Sequence, residues 1–416
     1  MPAPVQPSVL VGARLLDGRS PDAAIGALAI DATGRISAAG PQAAADAAEG
    51  ARRLDLTGLT LLPGIIDCHV HLSLCLEPVA EQVQRSATDL VVRALQSGRE
   101  LLEAGVTTVR DAGYTPAGIK RAFASGAFPG PRTQVSCRPL SQTGGHGDGW
   151  TPSGAILDTD VSDLPQGIAD GVDEVRKATR LQIRAGADWI KVMATGGVLS
   201  AADSPDASQF TVDEIRAIVE EAKAAGIKGT LAHAEGTAGI KNALRAGITS
   251  IEHGDLIDEE GIDLMLERDV PLVPTFNINF VLMDEGRVAR GEVPPWAVEK
   301  MRYLFKRQQT NFRHAIDRGV RVVMGTDSFS GLYPPAELAY MSEFGLGPFR
   351  AIQAATSEAA RLLDIADAVG TLEPGKQADL IAVSGDPLAE PELWRDPARV
   401  VLVIQGGRVV ADRRGA

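Results

Sequence analysis

Cysteine is scarce in this chain: 416 residues carry three, Cys68, Cys75 and Cys137. So sparse and odd a set is no disulfide framework. Basic charge is also in deficit. Lys and Arg number 41 against 54 Asp and Glu, for a formal net charge of −13. That balance argues against nucleic acid as a partner, because phosphates demand a basic face. It equally disfavours an anionic membrane surface. Long hydrophobic runs are missing too, and no stretch approaches the roughly 18–20 apolar residues of a membrane span. The opening MPAPVQPSVLVGARLLDG lacks a basic segment followed by a long apolar run, so no signal peptide is expected. These absences predict a soluble cytoplasmic protein. No internal repeat or low-complexity segment stands out.

Histidine is also rare, with six in the chain, yet four of them fall at the ends of short apolar runs. LLPGIIDCHVHL carries His69 and His71, IKGTLAHAEG carries His233 and SIEHGD carries His253. Two further runs place a charge in the same way: DWIKVMATGG carries Lys191 and VRVVMGTDS carries Asp327. Side chains two apart on a strand share a face, so His69 and His71 can aim at one point. Lysine is almost never fully buried without a partner, but Trp189-Ile190 and Val192-Met193 around Lys191 read as core strand. A single histidine at a strand end is ordinarily a satisfied polar residue. The whole set reads as metal ligands, and nitrogen with carboxylate donors suits zinc. Cys68 neighbours His69, but on a strand it faces the other way and reads as core packing.

Up to about residue 59, short strand-like runs with Gly and Asp turns suit a small β unit. From Leu61 onward, apolar runs alternate with helix-length segments, as in βα units with a parallel sheet. Strands are expected around 61–70, 106–111, 132–138, 188–194, 227–233, 250–253, 270–276 and 320–326. Among the helical patterns, EPVAEQVQRSATDLVVRALQSGRELLEAG is the longest. TVDEIRAIVEEAKAAG places Thr211 before Glu214 at capping-box spacing and ends at Gly226. The reading is α/β, a (β/α)8 TIM barrel. The polar residues singled out above lie at the C-terminal ends of its strands, where barrel enzymes keep their chemistry. After residue 360, ADLIAVSG and ARVVLVIQGGRVVADRR return to β patterns that can pair with the N-terminal strands. The expected organisation is a small β-sandwich domain from residues 1–60 and 366–416, beside a catalytic barrel at 61–365. Residues 280–300, with VPPW, form a long connection before a helix at 297–318. It reads either as a lid on the catalytic face or as a solvated connector.

The order His-x-His, Lys, His, His, Asp resembles the binuclear pattern of the metal-dependent amidohydrolase superfamily. The resemblance covers nearly the whole chain. GTLEPGKQADLIAVSGDPL, residues 370–388, is similar to that family's return strand after the barrel. LSQTGGHGD, residues 140–148, resembles the prolidase-like and imidazolonepropionase-like branch more narrowly. The resemblance implies two divalent metal ions, zinc by preference. His69, His71 and Asp327 would hold the first and His233 and His253 the second, with Lys191 bridging both as its N6-carboxylated form. It implies hydrolysis of a C–N amide bond by a metal-bridging hydroxide, with Asp327 as proton shuttle. The implied substrate is a small molecule: a dipeptide of Xaa-Pro or Xaa-Arg type, or an N-acyl amino acid. A cyclic-amide hydrolase resembling imidazolonepropionase, or an aryl amide or urea hydrolase, is the alternative. Deaminases of the superfamily do without a bridging lysine, so Lys191 counts against one. A non-catalytic assembly module should have lost ligands, and none is missing. Homo-oligomers are common in this branch.

Three other residues bear on substrate. The glycines of TGGHGD can bring His146 over the metals to polarise a carbonyl or hold an oxyanion, or leave it a solvent-exposed loop residue. Arg138 is a candidate for a substrate carboxylate, with a structural ion pair as the competing reading. Glu235 shares strand parity with His233 and could meet a substrate amine, although the dipeptidase branch often carries another residue there. Arg110, beside Asp111, reads as structural. His314, in a charge-rich helix, reads as surface.

Overall fold

The structure, a computed structural model, describes residues 5–151, 153–157 and 161–415. The two ends of the chain build one sheet. Its N-terminal strands are β1 (Ser8–Leu15), β2 (Ala24–Ile30), β3 (Ile36–Gly40), β4 (Arg52–Asp55) and β5 (Leu59–Pro63). A second group of strands starts with β6 (Ile65–Val70), β7 (Val106–Asp111) and β8 (Arg132–Val135). It continues with β9 (Trp189–Met193), β10 (Gly229–Ala234), β11 (Ser250–His253) and β12 (Leu272–Val273). The C-terminal strands β13 (Leu380–Ser384), β14 (Val400–Gln405) and β15 (Arg408–Asp412) return to the first sheet. Its order is β15-β14-β13-β5-β1-β2-β3, with β4 on β1. The junction is antiparallel, Leu380 opposite Pro63, and Leu10, Leu28, Leu61, Leu380 and Leu402 pack a core of its own.

The middle strands pair only in parallel, as β6-β7-β8 and β12-β11-β10-β9. Parallel pairing requires crossover connections, and helices supply them. Strands covered on both faces need continuous apolar runs, and every residue of β6 and β9 is buried. Three isolated parallel bridges link the two sheets and the segment 320–328: Leu140 with Val192, Leu272 with Val322 and Val70 with Ser328. The expected strand at 320–326 is therefore present as bridged extended chain, not as a ladder.

The boundaries differ from expectation for identifiable reasons. The run at 61–70 divides at Gly64, giving β5 to one sheet and β6 to the other. A Cβ at Gly64 would lie 2.3 Å from Thr107 Oγ1, so only glycine lets the chain cross there. The run at 270–276 stops after Val273, because Thr275 adopts φ 53° and a helix starts at Phe276. The segment expected to be the longest helix is two, Val79–Gln82 and Ala87–Glu103, because Ser86 caps the second with a capping box to Asp89. The longest helix is Pro295–Arg318, with 24 residues. Thr211 and Glu214 form the expected capping box.

Residues 280–300 are not open chain. They hold the end of the helix Phe276–Leu282, the helix Glu285–Ala289 and the start of Pro295–Arg318. Ile278, Leu282, Val293, Val298 and Met301 pack there with Val198 and Phe329 in one apolar cluster. Cys68 is packed with Ile66, Trp189, Leu231 and Val273, as its strand position suggested. Among the described residues no helix is long and apolar enough to cross a membrane.

Candidate metal centre

Five of the six histidines converge. Their rings form a continuous chain: His71 to His69 at 5.4 Å, His69 to His253 at 5.2 Å, His253 to His233 at 4.7 Å and His233 to His146 at 4.3 Å. Lys191 Nζ lies 3.5 Å from His69 Nε2. Asp327 Oδ1 lies 3.1 Å from His71 Nε2 and 3.5 Å from His69 Nε2. His69, His71 and Asp327 offer ligand atoms that all fall within 4.8 Å of one another and could hold a metal ion. The sixth histidine, His314, is exposed on the helix Pro295–Arg318 and pairs with Glu259.

The side chains reach this point by local backbone devices. His69 and His71 share a face of β6 and its continuation. Gly325 brings the 320–326 segment against β6, since a Cβ there would sit 2.7 Å from His69 Cβ. Three non-glycine residues of the site, His253, Thr275 and Asp327, have positive φ of 72°, 53° and 53°. Such conformations cost about 1–3 kcal/mol each and concentrate at functional sites.

Every histidine of the chain has one ring nitrogen tied to the protein. His69 Nδ1 is 2.7 Å from Glu252 Oε2, His71 Nδ1 is 3.1 Å from the Gly113 carbonyl, and His253 Nδ1 is 2.7 Å from Thr275 Oγ1. His233 uses Nε2 instead, 3.0 Å from the Gly196 carbonyl. His146 Nδ1 is 2.8 Å from Ser200 Oγ. Such outer partners leave the other nitrogen for a metal and set its orientation. This donor arrangement fits divalent metal.

Charge agrees with that fit. Burial drives His69 and His233 well below the ordinary imidazole range and pushes His253 and His146 down to about 4. These rings are neutral, as metal ligation requires. Burial opposes protonation of His71 as well, but the hydrogen bond and charge of Asp327 outweigh it and raise its pKa. Asp327 is itself desolvated, yet the His71 hydrogen bond and the neighbouring imidazoles hold its carboxyl well below the usual range. Burial pushes Lys191 down to about 8 against the pull of Glu252 and Asp327. The neutral amine is thus more accessible near neutral pH than in an exposed lysine.

Residues the sequence reading passed over complete the site. Glu252 is fully buried, accepting from Arg110 at 2.8 Å and Ser250 at 2.5 Å while orienting His69. Arg110 also donates to the Cys68 carbonyl at 2.6 Å, so its structural reading holds. Asp67 accepts from the His69 N–H at 3.0 Å and from Thr326 Oγ1 at 2.6 Å, joining β6 to the segment that carries Asp327. Glu252→Gln keeps the shape but loses the charge behind His69. Zinc affinity should fall about 10–100-fold, read by competition with a chromogenic chelator. Unchanged affinity would reduce Glu252 to a partner of Arg110.

The substrate candidates are placed less uniformly. His146 is stacked on His233 and is not a solvent-exposed loop residue. Glu235 is 4% exposed, and its Oε1 lies 4.0 Å from His233 Nε2. Burial and the neighbouring Asp255 and Asp203 carboxylates hold its pKa well above the usual range. Arg138 is buried with its guanidinium 5.9 Å from the Tyr114 ring, which stands 6.4 Å from the His71 ring.

The Amidohydrolase family model matches residues 60–410. The chain belongs to the amidohydrolase family. It is 36% identical to an ochratoxinase of Aspergillus niger over 367 residues, covering 84% of this chain and 75% of that one. A Xaa-Pro dipeptidase with bound methionine has 32% identity and a TM-score of 0.87, over 97% of this chain and 99% of that one. A prolidase complexed with N-methylphosphonate-L-proline has 33% identity and a TM-score of 0.90, over 98% of this chain and 100% of that one. This amidohydrolase is thus an enzyme acting on amide bonds, with the α/β, TIM-barrel type of fold of its neighbours.

Proposed function

We propose that the chain hydrolyses an amide whose leaving group is an amino acid, as in a dipeptide or an N-acyl amino acid. The continuous chain of five histidines with Lys191 and Asp327 carries the hydrolytic part of this reading. The likeness to a Xaa-Pro dipeptidase and a proline-phosphonate-bound prolidase supports the leaving group. The catalytic unit is a (β/α)8 barrel of residues 61–365, closed through the three isolated bridges. Residues 1–60 and 366–416 make the second unit, whose strands join in one eight-stranded sheet.

His69, His71, His233, His253, Asp327 and the carboxylated Lys191 would hold two divalent ions, zinc by donor type. When bound, these lower the pKa of a water and polarise the substrate carbonyl. Lys191 becomes a ligand when its neutral amine adds to carbon dioxide, forming a carbamate and releasing one proton. Asp327 is ionised and accepts the proton of the attacking water. It returns that proton to the leaving nitrogen as the C–N bond breaks, so acid and amine products balance. His69, His233 and His253 stay neutral, and they and His71 each keep one ring nitrogen aimed at the centre. Arg138, one aromatic ring away from His71, receives the carboxylate of the leaving amino acid.

The test is a panel of dipeptides varied at the C-terminal residue, with N-acyl amino acids, their C-terminal amides and hydantoin-like rings. Free acids should be preferred. Loss of a charged hydrogen bond is worth about 1.5–3 kcal/mol. Arg138→Met should therefore penalise free acids about 10–150-fold in kcat/KM and spare their amides. Turnover of ring or aryl amides alone would replace this reading by the cyclic or aryl amide class. The buried Glu235 carboxyl would then serve a substrate amine or ring N–H.

A further inference from the structure

The loop that follows β9, residues 196–206, touches two members of the histidine chain. The Gly196 carbonyl meets His233 Nε2, and Ser200 Oγ meets His146 Nδ1. The loop lies tight on the His146 ring: a Cβ at Gly197 would come within 2.3 Å of it. One face of the helix Pro295–Arg318 grips this loop. Trp296, Lys300 and Tyr303 are spaced four and three apart, on one side of a helix. Trp296 Nε1 donates to the Leu199 carbonyl at 3.5 Å, and Tyr303 Oη donates to Asp206 at 3.1 Å. Lys300 Nζ donates to the Gly197 carbonyl at 2.9 Å, the Ser200 carbonyl at 2.7 Å and Asp203 Oδ1 at 3.3 Å. An ammonium has three N–H donors, and this one loop takes them all.

Asp203 is the hub. Besides Lys300 it accepts from Ser200 Oγ, and from Gln209 Nε2 at 3.2 Å. Gln209 Oε1 in turn accepts the backbone N–H of His146 at 3.0 Å. The Ser200 hydroxyl has one proton and gives it to Asp203. It therefore accepts from His146, whose Nδ1 carries the ring proton and whose Nε2 is left as an acceptor.

We propose that Lys300 is a positioning residue, which through Asp203 and Ser200 fixes the place and tautomer of His146 beside His233. The long helix thereby belongs to the catalytic apparatus. His146 then accepts a substrate N–H instead of donating to the carbonyl oxygen. This inference rests on the reading of His146 as a substrate-facing residue.

Two readouts test it on the zinc-loaded full chain. The first is ¹⁵N-histidine NMR, with the His146 signals assigned from His146→Gln. Wild type and Lys300→Arg should show the Nδ1–H tautomer of His146, while Lys300→Met and Ser200→Ala should show averaging between tautomers. Unchanged His146 signals in both variants overturn the proposal, as does an Nε2–H tautomer in wild type. The second readout uses the best amide from the substrate panel. Lys300→Met should lower kcat about 10–100-fold with KM little changed, and Lys300→Arg should recover much of it. In a His146→Gln background the same change should add little, because the two residues act as one unit. Full additivity overturns the proposal. A damaging His146→Gln beside a silent Lys300→Met overturns the clamp alone and leaves the proposed reaction standing. A silent His146→Gln overturns the clamp together with the substrate-facing reading of His146, and leaves the proposed reaction standing. Ser200→Ala leaves the helix untouched, so the test survives if Lys300→Met does not fold.

Discussion

Asp327→Asn should lower turnover about 10²–10⁴-fold while most of the metal stays bound. The substitution keeps an oxygen donor next to His71 and His69 but removes the group that accepts a proton. The geometry makes Asp327 suited to that task. Its carboxyl is only partly exposed, and the His71 hydrogen bond and the surrounding imidazoles keep it ionised. Its backbone is fixed as well, because the Asp327 N–H donates to the His69 carbonyl at 2.8 Å and its φ is 53°. A residue so held cannot swing out of the centre to be replaced by a neighbour. Steady-state kinetics and elemental analysis on the same sample separate loss of chemistry from loss of metal. A fall smaller than about tenfold would mean that another group moves the proton. Asp67 would be the first to examine, since burial brings it up to about 7 and it lies behind His69.

The convergence of these side chains was legible in the sequence because strand parity and burial act over two or three residues. His69 and His71 on one face, and Lys191 between Trp189-Ile190 and Val192-Met193, are local facts. The alternation of apolar runs and helical segments was legible for the same reason, and so was the return of the chain end to a β pattern. What lay beyond reach depends on contacts far apart in the chain. Glu252 precedes His253, so parity alone sends it away from the ligands. Only the φ of 72° at His253 and the pairing of β11 with β10 let both residues serve the centre. Lys300 and Asp203 are 97 positions apart, and no local pattern joins them. The shortened β12 follows from the left-handed Thr275, a conformation that threonine does not announce. A clearer signal was available at Gly325 and Gly197, whose missing side chains leave room for His69 and His146.

Lys191→Ala should abolish bound metal and activity together, a loss beyond the ~10–100-fold typical of an outer-shell substitution. The argument starts from cost. Lys191 is 2% exposed and stands among neutral imidazoles. A buried ammonium there is expensive unless it is paired. Burial already pushes the amine down to about 8, which favours the neutral form that the proposed carboxylation needs. The carbamate would be an anion, and a buried anion without a cation is costly in its turn. Carboxylation and metal binding must therefore stabilise each other. Wild-type protein purified without chelator should hold about two equivalents of divalent metal. Chelation should release carbon dioxide with the metal, and reloading should be slow unless bicarbonate is present. Alanine removes the amine and leaves a gap where short carboxylic acids, such as acetate or propionate, should partly restore metal and turnover. Elemental analysis of the variant with and without the acid reads the first effect, and kinetics on the same samples reads the second. Two equivalents of metal in Lys191→Ala would remove Lys191 from the ligand set and leave its burial without a chemical reason.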